Sequence, residues 1–307
     1  MLSTPSLRSP VFLAIGAGAA LVGLLPWLIT GARLPLQNLW ASDTLPGQMP
    51  IALLPFSQYS VTALVAVILI GAAVAGVAGR AVPARHPGLA LLVLMGGVLL
   101  VQLIALVQTA VTVSTGLSVR TEATVYLAGL VGGTVAAILL GVGLLALIAR
   151  APKAGALIGL SVSAIAFGSW LDALFFPITG IATSSPLTNT LIEVVRFIPA
   201  ILIGVAIAWC GVATVGRVIA AILSLALLWV GPTVVTAVTA ALGSRVLAHY
   251  PREMVDYAVG VFRSALGMPI LWAPSLGLAV AVGAVGIVGV RVVRARADSL
   301  RSDDPSV

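Results

Sequence analysis

Three ionisable side chains sit in apolar surroundings: Asp172 in SWLDALFF, and Glu193 and Arg196 in TLIEVVRFIP. One guanidinium with two carboxylates can bind a charged solute, gate a path, or form a neutral anchor at a membrane boundary. Glu193 and Arg196 are three residues apart, which puts them on nearly one face of a helix. Arg196 lies 21 residues before Arg217, roughly 31 Å at the helical rise. Asp172 lies 19 residues after Lys153, roughly 28 Å by the same rise. All three therefore reach about the same depth. In an antiparallel pair folded at the turn Thr179 to Thr188, position 172 faces position 196. The spacing predicts a three-member ionic cluster at the outer mouth of a helical hairpin. One reading is an interfacial anchor, because an arginine near the boundary avoids most of the cost of a buried charge. The other is a solute-binding or gating site lining an outward-facing cavity, with Pro177 and Pro199 freeing backbone carbonyls beside it.

Other polar residues offer less. Asp43 is the lone acid of a proline-rich loop, and Glu253 and Asp256 lie in PREMVDYAVGVFRSAL. These are outer-loop candidates for solute contact. His249, Glu253 and Asp256 lack any recognised zinc spacing, with Pro251 intervening, so no metal is expected. Gln102, Gln108, Thr233, Thr236 and Thr239 are uncharged polar groups at membrane depth. They suit interhelical hydrogen bonds, or the lining of a polar path. Cys210, the sole cysteine, reads as a small packing residue. The chain contains no phosphate-binding GxxxxGK[ST] loop, no HExxH and no GxSxG. Its only lysine, Lys153, is on a turn. Neither enzymatic activity nor a cofactor is expected.

The elements that must position these residues follow from composition. Of 307 residues, 60% are hydrophobic and 8% charged, with a mean hydropathy of +1.19. A soluble domain carries about 25% charge. The bilayer is the solvent that suits such a chain. Charged residues divide it into eight apolar intervals, near 11–31, 59–79, 88–111, 123–149, 155–177, 190–214, 218–242 and 269–290. Backbone groups in lipid must bond internally, so these predict helices. The first interval exceeds the roughly 7–15 residues of a signal-peptide core and reads as a retained span.

The ends of the intervals then fall into two sets. Arg8, Arg80, Arg85, Arg150, Lys153, Arg217, Arg291, Arg294, Arg296 and Arg301 share one side; Arg33, Arg120, Arg245, Arg252 and Arg263 share the other. The larger set marks the cytoplasmic side, with both termini inside. The net charge of +7 is thus spread singly over helix ends and forms no nucleic-acid-binding patch. Tyr59, Tyr126, Tyr250 and Tyr257 fall on the outer side with Trp27, Trp40, Trp170 and Trp272, while Trp209 and Trp229 break the trend.

Two outer loops, about 32–58 and 243–268, are long enough for structure of their own. Pro35, Pro46, Pro50 and Pro55 make the first an extended, folded-back cover. From Pro251 the second reads as an amphipathic helix with Met254, Val255, Ala258, Val259, Phe262 and Leu266 on its apolar face. MPIALLPFS from Met49 and MPILWAPSL from Met268 look alike, and arginines recur at returning helix ends, so duplicated hairpins are conceivable. A kink is predicted at Pro232. Small residues in IGAAVAGVAG, AGLVGGTVAA and GAVGIVGV predict close helix approach.

The sequence therefore specifies an all-α polytopic membrane bundle. Residues 1–297 form one transmembrane domain and 298–307 a polar cytoplasmic tail. The expected location is a bacterial cytoplasmic membrane. The expected function is permease-like, binding or moving a small solute or lipid through an outward-facing site. The alternative is a non-catalytic scaffold or accessory subunit that binds a partner through its outer loops. Membrane lipids are the expected surroundings, with a membrane-protein partner or a second copy as further contacts.

Overall fold

A computed structural model describes residues 9–37, 39–84, 86–179, 186–244, 246 and 250–302. Among the described residues are nine α-helices and only isolated β-bridges. The helices are α1 (Ser9–Ile29), α2 (Val61–Ala81), α3 (Pro87–Gly116), α4 (Thr121–Arg150), α5 (Lys153–Thr179), α6 (Pro186–Cys210), α7 (Val215–Gly243), α8 (Pro251–Leu266) and α9 (Pro269–Ser302). All but α8 are long and apolar enough to cross a membrane, which gives eight spans. The chain is a multi-pass, all-α membrane protein.

Helix ends are set by local chemistry. Past α1, the N–H of Ala32 bonds the Trp27 carbonyl and that of Gly31 bonds the Leu28 carbonyl, both at 3.1 Å. Gly31 takes the left-handed φ of 88° that this paired closure requires. The interval near 190–214 overran at its end. Its helix stops at Cys210, because Gly211 (φ 70°) donates back to Ile207 and Thr214 caps α7 through its hydroxyl. The last interval was too short: α9 runs on to Ser302, past Arg291. The turn predicted between α5 and α6, residues 303–307 of the tail, and Arg8, Arg85, Arg245 and His249 lie outside the described residues.

The spans form two groups. In the first, α1 packs on α2 and α3, and α2 on α4; in the second, α6 packs on α5 and α9, and α5 on α7. Helix α5 also packs on α2 and α4, joining the groups. The expectation of close approach at small residues holds for two of the three stretches. A Cβ on Gly71 or Gly76 would press on α1 or α4, and one on Gly286 would press on Ala208 of α6. Gly129, Gly132 and Gly133 have open space instead, so the glycines of AGLVGGTVAA lie on a free face of α4 while Leu130, Thr134 and Ala137 face the core.

The loop between α1 and α2 folds back as expected and packs into the bundle. Leu34, Met49, Ala52, Leu54 and Phe56 are buried. Its backbone groups, taken out of water, are answered by side chains of the spans. The Leu53 N–H donates to Gln108 Oε1 and the Leu54 N–H to Thr109 Oγ1, each at 2.9 Å. The carbonyls of Ile51, Ala52 and Phe56 accept from Gln108, Trp27 and Gln37. Tyr126 of α4 donates to Gln37 Oε1 at 2.7 Å. Gln108 thus bonds a loop, while Gln102 makes the expected interhelical bond, to the Ile68 carbonyl of α2 at 3.0 Å. The two look-alike segments take different structures: Met49 to Ser57 is irregular and largely buried, whereas Pro269 begins a helix.

On the second outer loop, α8 forms as expected and packs mainly on α7. Met254, Ala258 and Phe262 are half-buried, while Val255 and Val259 remain exposed. The inner-side cations also have defined partners. Arg80 donates through Nε and Nη2 to the carbonyls of Ile148 and Ala151 at the end of α4. Arg80 and Lys153 each lie 5.4 Å from the centroid of Trp209, which explains why this tryptophan departs from the outer-side trend.

Candidate functional site

Four helix ends and the folded loop surround a cleft of about 800 Å³. Trp27 and Thr30 come from the last turns of α1; Pro55, Tyr59 and Ser60 come from the loop. The first turns of α2 bring Thr62, Ala63 and Val67. Ser169, Asp172 and Ala173 come from the outer part of α5, and Val235, Thr236, Thr239 and Ala240 from that of α7. Each contribution is the outer end of its helix by the charge assignment above.

Local sequence accounts for the polar lining. Ser169, Asp172 and Ala173 are spaced i, i+3 and i+4, so α5 presents them together. On α7 the hydroxyls of Thr236 and Thr239 donate to the carbonyls of Pro232 and Val235, four residues back, at 2.9 and 2.8 Å. Such bonds let a threonine sit in a helix at membrane depth while its oxygen still offers lone pairs. The helix continues unbroken through Pro232.

Asp172 is the only charged residue lining the cleft. Its carboxylate has no hydrogen-bond or ion-pair partner among the described residues. The expected three-member cluster is therefore not assembled. Arg196 donates from Nη2 to the carbonyls of Leu271 (2.8 Å) and Ile270 (3.2 Å) at the start of α9. Its guanidinium carbon lies 5.8 Å from the ring centroid of Phe197. The physical reason is azimuth. Asp172 and Arg196 lie on packed helices, but it is Val195 that α6 buries in the core cluster shared with Trp170 and Leu171 of α5. One residue further turns the side chain by about 100°, which carries Arg196 toward α9. Glu193 is exposed and makes no ion pair with either residue.

Pro274 has no N–H to offer the Ile270 carbonyl four residues earlier, and Arg196 supplies the missing donor. Trp170 of α5 donates at 2.8 Å to the carbonyl of Gly23 in α1.

The remaining candidates do not reach the cleft. Asp43 is exposed beside the Ser42–Thr44 hydrogen bond, and Glu253 and Asp256 are exposed on α8. Among the described residues no group of three metal-ligating side chains occurs. Sequence reasoning missed Ser169, Thr30 and Thr62 as companions of Asp172. The i, i+3 spacing of Ser169 and Asp172 was the available signal; Thr30 and Thr62 carry none, because their helices meet α5 only through tertiary packing.

Comparison of the chain with protein-family models, with curated proteins and with solved structures gives no match. What the fold defines is a polytopic α-helical membrane protein with a cleft whose one charged lining residue is Asp172.

Proposed function

We propose that this is a permease-like protein of a bacterial cytoplasmic membrane that binds or moves a small solute or lipid through the cleft at Asp172. It performs no covalent chemistry, and both termini lie in the cytoplasm. One observation carries the reading: an unpartnered carboxylate at membrane depth facing a cleft large enough for a ligand. A charge in a span is costly and is retained where it serves a path or a ligand. A volume of about 800 Å³ falls in the range of roughly 300–1,000 Å³ typical of small-molecule sites. Arg196 belongs to the scaffold in this reading, and Glu193 to the exposed rim of α6.

The first test is accessibility. In a Cys210→Ala background, Thr236→Cys should react with a membrane-impermeant maleimide added to intact cells, while the buried Thr233→Cys should not. Arg150→Cys should react only after permeabilisation. An unreactive Thr236→Cys, beside a reactive Tyr257→Cys on α8, sinks the outward-facing cleft. The second test is functional. At matched abundance, Asp172→Asn should fail to restore solute uptake to cells lacking the protein.

The second reading, a scaffold binding a partner, draws on α8, where the exposed Val255, Tyr257 and Val259 lie among charged residues. Loss of partner co-purification on Val255→Asp, with uptake indifferent to Asp172→Asn, favours it.

A further inference from the structure

We infer that the ligand of the Asp172 cleft is an organic monocation with an apolar body; this rests on the cleft being a ligand site, as proposed above. Charge sets the first requirement. Asp172 supplies one negative charge, and no cation of the protein answers it among the described residues. An exposed carboxylate lining a cleft is matched by a cation brought within hydrogen-bond reach. An anionic ligand would meet only repulsion. A zwitterion would need a cation of the protein for its own carboxylate, and the nearest candidate by sequence, Arg196, is bonded to α9 carbonyls instead.

Coordination chemistry narrows the class further. A hard metal ion takes about six or more oxygen ligands, several of them carboxylates or carbonyls. Here one carboxylate is accompanied only by neutral hydroxyl oxygens, too few anionic ligands for such an ion. An ammonium or phosphonium ion needs no such cage. The walls suit its body: Val67, Ala63 and Val235 are apolar, and Trp27 and Tyr59 bring aromatic rings to the same cleft as the charge. An aromatic ring attracts a cation as well as apolar surface. The combination of a single acid, aromatic rings and aliphatic walls therefore selects a hydrophobic cation over an inorganic ion or an amino acid.

The experiment uses two rigid ions of nearly equal shape and opposite charge, tetraphenylphosphonium and tetraphenylborate. Each is titrated against the full chain in lipid nanodiscs, with empty nanodiscs as the partition control. The same titration is made on Asp172→Asn, which keeps shape and removes charge. Protection of Thr236→Cys from maleimide by each ion reports where it binds. Saturable binding of the phosphonium, weakened about tenfold or more by Asp172→Asn, together with protection of Thr236→Cys, is the expected result. Equal phosphonium binding by wild type and Asp172→Asn overturns the cation assignment. So does protection of Thr236→Cys by the borate as effectively as by the phosphonium; the cleft then stands as a site for another ligand class. Labelling of Thr236→Cys that neither ion prevents also overturns it, again without touching the cleft. An unreactive Thr236→Cys removes the cleft reading itself.

Discussion

Arg196 of α6 donates to the carbonyl of Ile270, the acceptor that Pro274 leaves without a helical partner in α9. A break in one helix is thus closed by a cation from another, 74 residues earlier in the chain. In lipid an unanswered carbonyl is costly, and the guanidinium answers two neighbouring carbonyls at once. The arginine that the sequence marks as a possible site residue is a structural part of the α6–α9 contact.

This relationship predicts a coupling. Arg196→Gln should destabilise the protein by about 0.5–1.5 kcal/mol, the net worth of a hydrogen bond whose acceptors lie exposed at the start of α9. Pro274→Ala restores an N–H to the Ile270 carbonyl, so Arg196→Gln should cost less in that background. Unfolding in mixed detergent micelles, run as a double-mutant cycle, measures the difference. Additive effects would show that Arg196 does not act through Ile270.

The folded outer loop gives a second prediction. Tyr126 donates to Gln37 Oε1 and lies 3.4 Å from the Gln58 N–H. Tyr126→Phe removes one hydroxyl and leaves both groups short of a partner. A loss of about 1–3 kcal/mol is expected, with faster proteolysis of residues 32–58 from the outside. Since Pro55 and Tyr59 line the cleft, labelling of Thr236→Cys should also change rate in this variant.

At the opposite ends of the spans from the cleft, Arg80 closes the end of α4 and shares Trp209 with Lys153. Arg80→Gln should cost about 1–3 kcal/mol through the carbonyls of Ile148 and Ala151. Trp209→Leu should cost less, about 0.5–1 kcal/mol beyond lost packing, because the cation–π contacts are partly exposed. The order of the two midpoints in a denaturant series checks the assignment.

Glycines separate packed from open faces. A Cβ at Gly97 of α3 would overlap the Leu13 carbonyl of α1, so Gly97→Ala should push the helices apart and cost about 1–3 kcal/mol. Gly133 of α4 has nothing within 4 Å. Gly133→Ala should be neutral or stabilising by up to about 1 kcal/mol, the helix-propensity difference. Thermal midpoints of the two variants in one detergent distinguish the faces.

The number of spans, their order and the pairing of their ends were legible in the sequence. They depend on a one-dimensional quantity, the length of uninterrupted apolar chain needed to cross about 30 Å with every backbone group bonded internally. Depth is of the same kind, and Asp172 lies in the C-terminal part of α5. Facing is not. Whether Arg196 meets Asp172 or Ile270 depends on how α6 is rotated against α5 and α9, and packing of Val195 in the core decides that rotation. The cleft is likewise a product of tertiary structure. Trp27, Tyr59, Asp172 and Thr236 come from four separate parts of the chain, and only the meeting of α1, the folded loop, α5 and α7 gives the lone carboxylate a volume to face.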